Sequence, residues 1–174
     1  MEYDFTLKFK LSENDWDVDD VVERLGAAGC DDALVGTGIP GRIALNFVRS
    51  ADSADVAMVS ALRDVKKAVP TAKLIEVGPD FVGLTDVAEV VGVSRQNMRK
   101  LMLTHAQTFP PAVHEGSASI WHLALVLDWL QAKGSYPIAG NVVEVANAAM
   151  QFNIVKEMER VPEGARAEIR ELVT

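Results

Sequence analysis

The sequence predicts an α+β protein in two parts with a helical tail, on three observations. Residues 3–11 alternate apolar and polar side chains with a period of two, the pattern of a half-buried strand. Two later stretches repeat apolar residues at helical spacing, and each is followed by a short apolar run bounded by turn residues. Residues 84–101 read L-T-D-V-A-E-V-V-G-V-S-R-Q-N-M-R-K-L, two short amphipathic helices about a glycine.

The first strand turns Tyr3, Phe5, Leu7, Phe9 and Leu11 one way and Asp4, Thr6, Lys8 and Lys10 the other. Residues 12–15 read as a polar loop. A helix follows on Val18, Val21, Val22, Leu25 and Ala28 and ends at Gly29. Ala33, Leu34 and Val35 form a short strand. The glycine-rich residues 36–41 lead into alternating Ile43, Leu45 and Phe47. A phosphate cradle would open a helix instead, so a hairpin connection is the reading. Residues 52–69 form a second helix with Ala54, Met58, Ala61, Leu62 and Val65 inward, stopped by Pro70. Residues 73–77 form a last strand, and Gly78, Pro79 and Asp80 read as a linker. The order βαββαβ over residues 1–78 is the ferredoxin-like arrangement, an antiparallel sheet with two helices on one face. Asp15, Asp17, Asp19, Asp20 and Glu23 lack the spacing of a calcium loop and read as a solvated helix start.

At 174 residues and 49% hydrophobic content, the chain can bury one good core or two small ones. No apolar run is long enough to span a bilayer and no signal-peptide pattern opens the chain, so a cytoplasmic location without a membrane partner is expected. The single cysteine, Cys30, excludes an internal disulfide and a cysteine-based zinc site, and reads as a buried thiol. The net charge of −8 argues against nonspecific coating of nucleic acid. It is uneven: residues 1–80 hold 9 basic and 15 acidic side chains, residues 81–133 hold 4 of each, and residues 134–174 hold 4 and 6.

In the central segment Thr85 can cap a first helix, whose Val87, Ala88 and Val91 share an apolar face. Gly92 suits a left-handed helix end. Val93 plugs the turn, Ser94 caps a second helix, and Met98 and Leu101 give that helix its buried side. Arg95, Gln96, Asn97, Arg99 and Lys100 remain outside, the residue types that pair with base edges and phosphates. No acidic residue occurs from position 93 to 107. Glu115, Gly116 and Ser117 then make a tight turn between two extended runs. Leu123, Val126, Leu127 and Leu130 mark a packing helix to about Ala132. Together these elements describe a winged helix-turn-helix over residues 81–133.

That segment resembles the small winged-helix domains of the MerR superfamily, especially the phage excisionase and AlpA-like regulators. The likeness rests on the L-T-D-V-A start, the G-V-S-R-Q turn, the F-P-P segment before the wing and the aromatic residue before a D-W-L helix. It implies that the second helix enters the major groove and the wing touches backbone or minor groove. Arg95, Gln96, Asn97, Arg99 and Lys100 then become major-groove candidates. Ser94 caps the helix and reaches toward a phosphate, and Ser117 sits near the wing tip. The wing departs from the pattern: Glu115 is acidic, and no Arg or Lys lies between Leu101 and Lys133.

His105, His114 and His122 show no ligand spacing and read as surface or packing residues, so no metal is expected. Trp121 and Trp129 belong to the small core. Residues 134–140 read as a linker. Residues 139–174 form a C-terminal helical segment. Its main helix carries two apolar stripes: Val142, Val145, Ala146, Ala149 and Phe152 on one, Val143, Met150, Ile154 and Met158 on the other. One stripe can face its own chain and the other a second subunit, with burial of both inside the chain as the alternative. Pro162 begins a last helix or a frayed tail.

These readings converge on a sequence-specific regulator that binds double-stranded DNA as a homodimer, without chemistry and without a cofactor. No nucleophile–base pair, metal set or nucleotide motif marks an enzyme. Two alternatives stand beside it: an antitoxin-like or adaptor module binding a protein partner through its acidic surface, and a ligand-sensing regulator whose N-terminal module binds a small molecule near residues 36–41.

Overall fold

The computed structural model covers all 174 residues and is mixed α+β, with seven α-helices and two antiparallel sheets. The first sheet is built from β1 (Glu2–Lys10), β2 (Ala33–Gly36), β3 (Arg42–Ser50) and β4 (Lys73–Gly78), in the order β2-β3-β1-β4 with every neighbour antiparallel. Register follows the alternation: Phe5 lies opposite Phe47, and Leu7 lies between Leu45 and Val77. One face therefore gathers Tyr3, Phe5, Leu7, Phe9, Ile43, Leu45 and Phe47, all buried. The Phe5 and Phe47 rings stack at 5.3 Å.

Helices α1 (Val18–Ala28) and α2 (Ala54–Ala68) cover that face through Val21, Leu25, Met58, Ala61 and Val65. Asp17 caps α1 and Ser53 caps α2, each accepting an amide three residues on, and Gly29 ends α1 with a φ of 108°. Residues 37–41 join β2 to β3 as a hairpin connection. Arg49 locks the corner. Its guanidinium donates to both Asp32 oxygens, to Asp64, to Ser60 and to the Gly29 carbonyl.

One sequence expectation fails here and another is refined. Asp15 is no part of a solvated helix start. It closes a 3-10 turn (Glu13–Asp15), is buried, and accepts from Ser12, Thr71 and Arg24. Residues 78–80 do join β4 to the next strand, as read, but they are packed rather than free. The Asp80 side chain is 0% exposed, and its partners come from distant parts of the chain. The Gly78-Pro79 peptide bond is cis.

The second sheet has the order β5-β7-β6, from β5 (Phe81–Val82), β6 (His114–Glu115) and β7 (Ser119–His122). With α3 (Leu84–Val91), α4 (Arg95–Thr104) and α5 (Leu123–Lys133) it encloses a second core. Val87, Ala88, Met98, Trp121, Leu123, Leu127 and Leu130 are buried there.

Helix α6 (Gly140–Met158) lies between the two cores. Val145, Ala148 and Ala149 pack into the first, with Phe152 beside them. Ala146 packs into the second, joined by Val142, Val143 and Met150. Most of both apolar stripes is thus covered by this same chain, and they supply no broad second-subunit face. Two-sided burial arises because one helix must cap two separate apolar layers. Of its large apolar side chains only Ile154, Val155 and Met158, near its C-terminus, stay exposed. They are followed by α7 (Glu163–Val173), where Ile169, Leu172 and Val173 are also open to solvent. No helix is long and apolar enough to cross a membrane.

Candidate nucleic-acid interface

The start of α3 differs from the sequence expectation. Thr85 lies inside the helix, and Gly83 is the capping residue; its amide donates to the Asp86 carboxylate at 2.8 Å. The cap is shifted because Asp86 reaches back over the first turn, where a carboxylate also meets the positive end of the helix dipole. Gly92 ends α3 with a φ of 76°, and the Val93 amide donates to the Ala88 carbonyl at 2.9 Å. Val93 packs against the second core.

Ser94 begins α4, its hydroxyl accepting the Asn97 amide at 3.2 Å. Met98 is completely buried beneath the helix, with Leu101 and Met102 beside it. The helical period then fixes what faces out. Arg95, Gln96, Arg99, Lys100 and Leu103 form one outer face, flanked by Asn97, and all six are exposed. None of Arg95, Arg99 or Lys100 takes part in an ion pair. Nor does any side chain of this outer face hydrogen-bond elsewhere in the molecule. At ten residues α4 is about 15 Å long.

The hairpin after α4 pairs His114 with Ile120 and Glu115 with Ser119, and Ser117 is exposed at its tip. Trp121 ties the hairpin down by donating its indole N–H to the Pro110 carbonyl at 3.1 Å. Phe109 meets both Trp121 and Trp129 edge-on. The tip offers hydroxyl and amide donors but no cation, and Glu115 is exposed there. Ser117 and the α4 residues therefore lie on separate elements, and only the α4 set forms a continuous polar face.

The three histidines do not converge. His105 rests against Trp129 and near the Lys133 ammonium, which itself lies 4.8 Å over the Trp129 ring. His114 is on the hairpin. His122 stands at the start of α5, its Nδ1 2.7 Å from an Asp80 oxygen. The other Asp80 oxygen accepts from Asn153 at 2.8 Å. Asn153 also exchanges two hydrogen bonds with the Val77 main chain, and the Leu123 amide donates to the Asp80 carbonyl. This buried network joins β4, α6 and the start of α5. Its members lie 42 and 73 residues from Asp80, so no local pattern marks them.

Comparison with known protein families, curated proteins and solved structures finds no match to this chain.

Proposed function

We propose that this chain is a sequence-specific regulator that binds double-stranded DNA through α4, by equilibrium binding without chemistry. One observation carries the reading: Arg95, Gln96, Asn97, Arg99 and Lys100 are all exposed on α4, and none is engaged by the rest of the molecule. A guanidinium can pair bidentately with guanine, and Gln or Asn with adenine, so this set can read base edges as well as hold phosphates. Buried Met98 and the Ser94 cap hold the helix rigid, which lowers the ordering cost of docking.

The order α3, glycine turn, α4, hairpin and α5 supports a winged helix-turn-helix over residues 81–133 and the resemblance to MerR-superfamily excisionase and AlpA-like domains. The strand order β2-β3-β1-β4 with α1 and α2 on one face supports a ferredoxin-like module over residues 1–78. In this reading Ser94 approaches a phosphate from the start of α4. The hairpin contributes only neutral contacts, through Ser117.

Three cations on one chain give weak affinity, because each neutralised phosphate adds a modest, salt-sensitive increment. A homodimer placing two α4 helices on successive half-sites removes that weakness. Its contact is proposed at Ile154, Val155 and Met158 with Ile169, Leu172 and Val173, the exposed apolar side chains of residues 139–174. The same side chains favour a second reading, an adaptor that docks a protein partner there.

Selection from random duplex DNA at two salt concentrations tests the proposal. A motif is enriched by the parent chain and lost with the double substitution Arg95→Ala, Arg99→Ala. Enrichment that survives the double substitution, or none at either salt concentration, overturns the reading. Sedimentation of the parent and of Leu172→Glu tests the dimer, which the charged side chain dissociates.

A further inference from the structure

The face of the first sheet opposite α1 and α2 carries a pocket of about 400 Å³ whose lining includes Lys8, Gly38, Ile39, Arg42, Ala44 and Ile75. Two features set it apart from an ordinary solvated sheet face. The first is its charge. Lys10 lies directly opposite Arg42 on one side and Lys73 on the other. Like charges placed across neighbouring strands repel and destabilise the pairing. None of these three cations has an ion-pair partner, although the chain is strongly acidic. The one carboxylate lining the pocket, Glu76, is already paired with Lys8 at 3.3 Å. Arg42 therefore keeps its charge uncompensated at the pocket, with Lys10 and Lys73 unpaired beside it.

The second feature is its floor. The pairing of β1 with β4 slips between Lys8 and Phe9, so that Lys8 opposes Glu76 while Phe9 opposes Leu74. Ile75 is the extra residue of this bulge. A bulge re-aims side chains, and here the consecutive Ile75 and Glu76 both line the pocket. Ile39, on the β2–β3 connection, is 59% exposed at the same site. Apolar side chains beside unneutralised cations suit an organic anion with a hydrophobic body.

We infer that the pocket between the 36–41 connection and the β4 bulge binds a small amphipathic anion, its apolar body against Ile39, Ala44 and Ile75 and its carboxylate, sulfonate or phosphate at Arg42. Lys10 and Lys73 add long-range attraction. Lys8, paired with Glu76 at the pocket, exchanges that partner for the anion. This site is distinct from the α4 face, and its test involves no DNA, so either proposal can fail alone.

The full-length chain is titrated at physiological salt with anilinonaphthalenesulfonate and with phenylnaphthylamine, its counterpart lacking the sulfonate. Fluorescence gives affinity and stoichiometry, and backbone amide NMR shifts give location. One sulfonate binds per chain, shifting the amides of Gly36, Gly38, Ala44 and Ile75. Arg42→Glu weakens the sulfonate by about tenfold or more and leaves the neutral compound nearly unchanged. Ala44→Phe fills the floor and removes both. Lys8→Gln, which keeps the stem and loses the charge, weakens the sulfonate by a smaller factor. An unfolding midpoint no lower than the parent's accompanies each variant scored. Sulfonate affinity indifferent to Arg42→Glu, shifts confined to other residues, or no saturable binding overturns the inference.

Discussion

Replacing Asp80 with alanine should uncouple the two cores, and its cost follows from the contacts. The carboxylate is fully buried and receives His122 Nδ1 at 2.7 Å and Asn153 Nδ2 at 2.8 Å. Leaving a buried donor without its acceptor costs about 1–3 kcal/mol, and two donors lose theirs here. Part of that is recovered: Asn153 keeps both bonds to Val77, and His122 retains some solvent access. The expected loss is thus about 3 kcal/mol. Against a total of about 5–15 kcal/mol for an ordinary domain, that is a large fraction. With a urea slope of about 2 kcal/mol per molar, the unfolding midpoint falls by about 1.5 M. Urea unfolding followed by tryptophan fluorescence and far-ultraviolet circular dichroism measures it. Asp80→Asn, which keeps the volume and one acceptor oxygen, should lose less. A loss below about 1 kcal/mol for Asp80→Ala, or a larger loss for Asp80→Asn, would refute the reasoning.

Three further outcomes are expected. For one chain on DNA, three phosphate contacts give a slope of log affinity against log salt of about −2.7, and Arg99→Ala reduces it to about −1.8; an unchanged slope means that Arg99 touches no phosphate. Hydrogen bonds from Thr71, Arg24 and Ser12 lower the Asp15 pKa to about 2 from 3.8. The unfolded chain therefore takes up this proton first, and the associated stability, complete above pH 3.8, is lost as pH falls toward about 2. Asp15→Asn should flatten that acid limb in denaturation measured across pH. Burial pushes the Cys30 thiol up to about 11. Iodoacetamide at mildly alkaline pH should then label native protein about a hundredfold more slowly than urea-unfolded protein, and equal rates would place the thiol outside the core.

What the sequence makes legible is what local periodicity determines. The outer face of α4 follows from Met98 and Leu101 alone, since a helix with those two inward must turn Arg95, Gln96, Arg99 and Lys100 outward. The alternation of residues 3–11 likewise fixes which side of β1 is buried. Caps are legible to within a turn: Ser94 is where its spacing places it, whereas Asp86 moves the α3 cap from Thr85 to Gly83. Long-range polar closure is hidden. Asp80 follows glycine and proline, which read as a linker, and only the fold brings His122 and Asn153 to it. Asp15 sits in an acidic run and looks solvated until Thr71, 56 residues on, meets it. The two stripes of α6 are visible as composition, but what covers them depends on where both cores lie.

If α4 binds DNA as proposed, the distribution of cations bears on discrimination between DNA sequences. Arg24 and Arg49 are consumed by Asp15, Asp32 and Asp64 in holding the first core together. The cations of α4 are left without partners on a molecule of net charge −8. Phosphate attraction alone is indifferent to sequence, and the surrounding acidic surface opposes it at any site on DNA. Contacts to base edges gain nothing from nonspecific sites, so they bear a larger share of the affinity than in a basic protein. An acidic body around a small basic helix therefore lowers affinity everywhere while leaving the difference between correct and incorrect sites intact. Under the proposed reading it also favours engagement of a second half-site, because one helix with three cations gains little against that repulsion at physiological salt.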